Sequence, residues 1–379
     1  MPDHEGALAS LWTVMAADGV AGVDSSAPTE REAREGGPGE ETAGDEERDD
    51  GEQPLVYAMD VRIEAARVLV PRYEAGADYD SLLTALLVRA ASEDPLERFG
   101  ALRRAAEVAD LGLQDPTRSF DLQCRAVRAG LSEDDLGRML EELGRFARDA
   151  GRWSDYVALL REVGPEIMDA QLQVDAYMQI AEVARDRLDD AALARSYFEN
   201  VLESQPDHRE ALAALEKITA EAKDYPALLD VLRRQSEIAE SEQSRVPLLL
   251  RRAEICENRT GEIPAAIDCY EQALAETQPR EAYDGLERLY KRAERFQDLV
   301  SHYERMLEDG VGEPVEIRYR LGITKLDRLE DAWAATDQFR DALALDVDHG
   351  PTIEALERLM ENEEHRATAA EILEPVFLQ

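Results

Sequence analysis

The chain has 379 residues, 83 acidic against 43 basic, for a formal net charge of −40 and a pI near 4.4. Its apolar fraction of 44 % suffices for a core and excludes wholesale disorder, while the lack of any 18-residue apolar run excludes a membrane-spanning helix. The acidity excludes broad contact with phosphate backbones, and three widely spaced cysteines make neither a disulfide framework nor a zinc knuckle.

Residues 1–54 stand apart. They carry fifteen acids against three arginines, a net −12 that leaves −28 on the rest. From Glu30 to Glu52 the chain is acids, glycines and small residues, and cannot offset the entropy of ordering, so it reads as a disordered acidic leash. Ahead of it, Leu8, Leu11, Trp12 and Met15 recur at i, i+3, i+4, i+7, which predicts a short amphipathic helix over 6–18. These four residues are candidates for an anchor in a partner's groove. The alternative is a helix that docks back on its own array. Asp3 and Glu5 precede any apolar residue and the first cation is Arg31, so no export signal is read and a cytoplasmic location is expected.

From about residue 55 the chain reads as helix after helix. Leu299, Val300, Tyr303, Met306 and Leu307 share one face, as do Ala282, Leu286, Leu289 and Tyr290. Four markers then recur with one period. Leu-Glu-x-[Leu/Ile] begins at Leu140, Leu215, Leu286 and Leu356. An aromatic ahead of leucines falls at Tyr79, Trp153, Tyr225 and Phe296. Ala-x3-aromatic-x3-Leu falls at Ala194/Phe198/Leu202, Ala266/Tyr270/Leu274 and Ala335/Phe339/Leu343. Ala-Glu-Val-Ala at 106–109 and 181–184 becomes Ala-Glu-Ile-Cys at 253–256. The spacing is about 72 residues, or two helical hairpins of about 36.

These elements resemble the tetratricopeptide repeat family over residues 55–379. The small residue at Ala181, Ala253 and Gly322 matches a close helix approach, the Ala-x3-aromatic element matches the family's second helix, and Pro206 and Pro279 match its inter-repeat proline. The pattern departs from the family at most of its Trp and Gly-Tyr positions, and Cys124 stands where the earliest unit would carry a ring. Half-a-tetratricopeptide repeats share these lengths. The resemblance implies an all-α, right-handed α-solenoid of stacked antiparallel helix pairs that acts as a protein–protein interaction scaffold. Residues Ala65–Tyr73 also resemble Ala369–Phe377, 304 residues on, and after the second copy no further helix follows. The expectation is an array uncapped or truncated at its carboxyl end.

Motifs for chemistry do not assemble. None of the four lysines follows a glycine, as a phosphate loop requires; Gly310 and Gly312 belong to a helix-connecting loop; and the five histidines are scattered, with His208 and His349 reading as turn or cap residues. Cys256 and Cys269 read as packed thiols. No catalytic residue, cofactor site or metal site is expected, and the chain is read as a non-enzyme. Trp153 shares its place with other rings and is assigned to packing. Trp333 has no aromatic counterpart and is a candidate surface anchor for a partner. With −40 overall, that partner is expected to be a basic protein or peptide, with no direct nucleic-acid contact. Two alternatives stand beside this: a docking or regulatory arm of a larger enzyme such as a kinase, and an acidic mimic of nucleic acid that occupies a basic protein groove.

Overall fold

A computed structural model of the chain describes residues 3–16 and 58–377. The acidic leash lies outside the described residues. Among those described there are nineteen α-helices and no strand, so the fold is all-α. The chain divides into two compact units, Met1–Tyr197 and Phe198–Gln379, and the division falls within one helix.

The first unit runs through α1 (Asp3–Ala16), α2 (Met59–Gly76), α3 (Tyr79–Arg89), α4 (Pro95–Glu107), α5 (Pro116–Ala129), α6 (Leu136–Ala150), α7 (Trp153–Val163) and α8 (Ala170–Asp186) into α9 (Ala191–Ser204). The second continues with α10 (Arg209–Glu221), α11 (Tyr225–Ile238), α12 (Glu242–Ile255), α13 (Ile263–Glu276), α14 (Arg280–Arg292), α15 (Phe296–Glu308), α16 (Pro314–Leu329), α17 (Ala332–Leu345), α18 (Gly350–Met360) and α19 (Arg366–Phe377). Within each unit a helix packs chiefly on its neighbours in sequence, as in a chain of helical hairpins. α4 and α12 each close in a π-helical turn, Val108–Gly112 and Cys256–Thr260, at matching places in the repeat.

The helix ends keep the period. Left-handed backbone falls at Ala77, Gly151, Lys223 and Glu294, each two residues before a marker aromatic. A second series falls at Gln114, Asp189, Gly261 and Glu330, ahead of α5, α9, α13 and α17. Each stops one helix and turns the chain into the next. Part of the acid surplus is used directly after these turns. Asp78, Asp115, Asp190, Asp224 and Asp331 accept hydrogen bonds from backbone N–H groups of the following helix, at 2.9–3.3 Å. A carboxylate there satisfies an orphan donor and meets the positive end of the helix dipole.

The cores are built from the periodic positions. In the first unit Leu69, Leu83, Leu86, Phe120, Leu140, Leu143 and Leu160 are buried in one cluster. In the second, Tyr270, Leu274, Tyr283, Leu286, Leu289 and Tyr303 form one cluster and Phe339, Leu343, Leu356 and Leu359 another. Both copies of the end-to-end match are helical, with Pro71 and Pro375 inside α2 and α19.

Candidate interaction surface

The rings at the repeat positions show how the hairpins are joined. Phe198, Tyr270 and Phe339 are almost wholly buried, as are Ala194, Ala266 and Ala335 one turn before them. The Tyr270 ring lies over Gly285 of α14 so closely that a Cβ there would be 2.6 Å from it, and the Phe339 ring lies over Gly322 of α16 at 2.5 Å. An aromatic from one helix thus fills the space that a missing side chain leaves on another. This is a periodic array of helical hairpins. Its other marker rings are capped by arginines 32–34 residues downstream: Arg187 over Trp153 at 5.5 Å, Arg259 over Tyr225 at 5.9 Å and Arg328 over Phe296 at 5.2 Å. At Tyr79 the corresponding place, 33 residues on, is Gly112, where an added Cβ would lie 2.6 Å from the ring.

No protein-family model matches the sequence, and none of the curated proteins does. Among solved structures the chain is similar to a tetratricopeptide repeat protein of Parabacteroides merdae, with 14 % identity over 68 % of this chain and 97 % of that one and a TM-score of 0.29. It is similar to PilF of Pseudomonas aeruginosa at 16 % identity over 57 % of this chain and 92 % of that one, TM-score 0.29. A third is a signal-transduction ATPase of Pyrococcus horikoshii with a tetratricopeptide repeat sensor, at 14 % identity over 83 % of this chain and 49 % of that one, TM-score 0.26.

Charge on the hairpins is arranged by the same period. Ion pairs join helices one hairpin apart, 30–35 residues along the chain: Arg67–Glu97, Arg103–Asp135, Arg145–Asp110 and Arg128–Glu162 in the first unit, and Arg251–Glu216, Arg288–Glu257, Arg320–Glu287 and Arg358–Asp327 in the second. The carboxylates are often the deeper members. The Glu97 side chain is 9 % exposed, and hydrogen bonds from Arg67, Ser92 and Arg89 outweigh its burial and hold its pKa down at about 2. Burial alone would raise the Glu287 carboxyl, but Lys291 Nζ at 2.6 Å, the Tyr303 hydroxyl at 2.9 Å and Arg320 Nη1 at 3.1 Å donate to it and keep it below the usual range. Many of the arginines are thereby committed within the chain.

Two groups of residues were candidates for contact with a partner. The structure does not bring them together as one site. Helix α1 begins at Asp3 rather than at residue 6 and packs on α2. Met15 is completely buried, Leu8, Leu11 and Trp12 are half-buried against the first unit's core, the Trp12 ring meets Tyr73 edge-on at 6.0 Å, and Arg62 Nε donates to the Met15 carbonyl at 3.0 Å. The face carrying Leu8, Leu11, Trp12 and Met15 is therefore turned to the chain's own α2. Trp333, the second residue of α17, is 52 % exposed.

Sequence reasoning passed over His365, which lies at 4.9 Å from the Trp333 ring, nearly perpendicular to it, and is buried with its Nδ1 unpartnered. Nothing in its local sequence marks it, because the contact comes from another hairpin. His208 Nδ1 accepts from the Ala211 N–H at 3.2 Å and His349 Nδ1 meets the Thr352 hydroxyl at 2.7 Å, both at helix starts. Cys256 and Cys269 are buried free thiols, and burial pushes the Cys256 thiol up to about 11, which keeps it protonated and unreactive at neutral pH. Among the described residues no group of His, Cys, Asp and Glu is placed to hold a metal ion, and no helix is long and apolar enough to cross a membrane. A cleft of about 320 Å³ in the second unit lies beside the start of α12. There Arg209 is paired with Glu240, and Ser241 and Ser244 cap the helix reciprocally, while the buried Gln235 Oε1 has no partner.

Proposed function

We propose that this protein is a protein–protein interaction scaffold that presents acidic helical-hairpin surfaces to a basic protein or peptide. The observation that carries this reading is the commitment of arginine within the chain. Arginines pair with carboxylates one hairpin away or cap the repeat's rings, and the chain still holds a net −40. What remains for an outside molecule is carboxylate, spread over exposed helix faces. Stacked hairpins present long surfaces suited to extended peptides or helices. The same acidity disfavours nucleic acid as a direct ligand.

The test is affinity capture with the intact chain at about 0.05 M and about 0.3 M salt, read by mass spectrometry. The expected result is a captured set rich in basic proteins that is lost as salt rises. A set that is acidic, or retained at the higher salt, overturns the electrostatic reading.

A further inference from the structure

The repeat supplies its own control for what the fold requires of a side chain. Two residues before the buried alanines Ala194, Ala266 and Ala335 stand Ala192, Pro264 and Trp333. The first two places manage without a ring, so the helix pair does not need one there. Likewise the residue before α3, α7, α11 and α15 is Asp78, Arg152, Asp224 or Arg295, none of them buried, whereas the residue before α19 is His365, 7 % exposed and covered by Trp333. The Trp333–His365 pair, which joins α17 to the turn before α19, has no counterpart at these earlier places. It leaves half of the largest aromatic side chain in solvent.

The chain on either side of this pair is rich in acids, and the one cation beside His365, Arg366, donates to the Met360 carbonyl at 2.9 Å. Asp331 lies two residues before Trp333, with its Oδ1 held by the Ala334 N–H at 2.9 Å. The turn that ends in His365 carries Glu361, Glu363 and Glu364, all exposed. Elsewhere this chain meets such rings with guanidinium groups, at Trp153, Tyr225 and Phe296. An indole face flanked by carboxylates is the environment that attracts a cationic side chain, since the ring quadrupole and the fixed charges act in the same sense.

We propose that Trp333, backed by His365 and flanked by Asp331, Glu361, Glu363 and Glu364, is the seat of an arginine or lysine side chain of the basic partner, which deepens and rests on the scaffold reading above. The cation stacks on the exposed indole while neighbouring carboxylates accept its N–H groups. Arginine binds in preference to lysine, because its planar guanidinium can stack and donate at once. The buried His365 sets the angle of the ring and makes no contact with the ligand.

The test uses the full chain with fluorescently labelled peptides of alternating Arg and Gly, and of alternating Lys and Gly, read by anisotropy at about 0.15 M salt. Trp333→Leu keeps an apolar cover on His365 and removes the π face; Trp333→Phe keeps a π face. The expected result is binding weakened about two- to five-fold or more by the leucine variant and largely retained by the phenylalanine variant. Glu363→Gln with Glu364→Gln, ring intact, weakens binding and flattens its salt dependence. Unchanged binding of the Arg peptide by Trp333→Leu overturns the site while leaving the scaffold reading in place. Absence of binding by the unmodified chain to either peptide overturns both.

Discussion

Gly285 and Gly322 are fixed by the rings above them, at separations no Cβ tolerates. Tyr270 and Phe339 are nearly fully buried and have no free space into which to swing. Gly285→Ala and Gly322→Ala are each expected to cost about 1–3 kcal/mol in denaturant unfolding, despite the better helix propensity of alanine. His302 gives a second test. It is buried among Tyr283, Tyr290 and Tyr303, its Nε2 lies 3.0 Å from the Tyr283 carbonyl, and Glu287, Glu271 and Arg305 act on it. Burial lowers its pKa below the usual 6.5 despite its carboxylate neighbours. The unfolded chain therefore takes up this proton first, and the contribution of neutral His302 to stability is complete above pH 6.5 and declines as the pH falls below it. Stability measured between pH 7 and about 5 should show this fall, and His302→Gln should flatten it. The alanines, rings and leucines of the repeat were legible because each recurs. His365 and His302 were not, because the contacts that bury them come from other helices; Glu287 recurs in the Leu-Glu-x-Leu element, but its ties to Tyr303 and Arg320 leave no spacing in the local sequence.

Helices were the most legible level. Hydrophobic periodicity located them, and the 72-residue repeat followed because every hairpin must solve the same packing problem. α1 begins at Asp3, three residues ahead of the expected start, because its first turn leaves no apolar mark in the sequence. That α1 lies on α2 was one of two readings the periodicity allowed; an apolar stripe does not say what covers it. Trp12→Ala should lower the stability of the first unit by roughly 1–2 kcal/mol, as a half-buried ring against Tyr73 is lost. An unchanged melting temperature would separate α1 from the unit's core. In the second unit Glu287 ties α14, α15 and α16 together through Lys291, Tyr303 and Arg320. Glu287→Ala leaves the buried Tyr303 hydroxyl without its acceptor, while Arg320 keeps Glu316, and should cost about 2 kcal/mol, above the cost at an exposed pair such as Arg340–Asp337.

At the scale of the whole molecule, charge is the dominant fact. A surplus of forty negative charges repels itself, and exposed ion pairs contribute little each. The melting temperature of the isolated chain should therefore rise between about 0.01 M and about 0.2 M salt, as screening weakens the repulsion more than it weakens the pairs. A fall over that range would mean that the paired arginines matter more than the unpaired acids. The sign of that response and the salt-driven loss of a basic partner are opposite in direction, so the two can be measured on one sample. Composition alone announced this level, although it could not show that many of the arginines were already spoken for.

The left-handed helix ends have a consequence for how the chain has been tuned. Six of the eight are occupied by residues with a side chain: Ala77, Gln114, Asp189, Lys223, Glu294 and Glu330. Each holds a conformation that costs an L-residue about 1 kcal/mol relative to glycine. The strain recurs along both series, on residues that are all exposed. Glycine at these six positions would relieve that strain without touching a core ring or Trp333, a gain in stability partly offset by the greater freedom of glycine in the unfolded chain. The molecule thus stores backbone strain at its corners, away from its core.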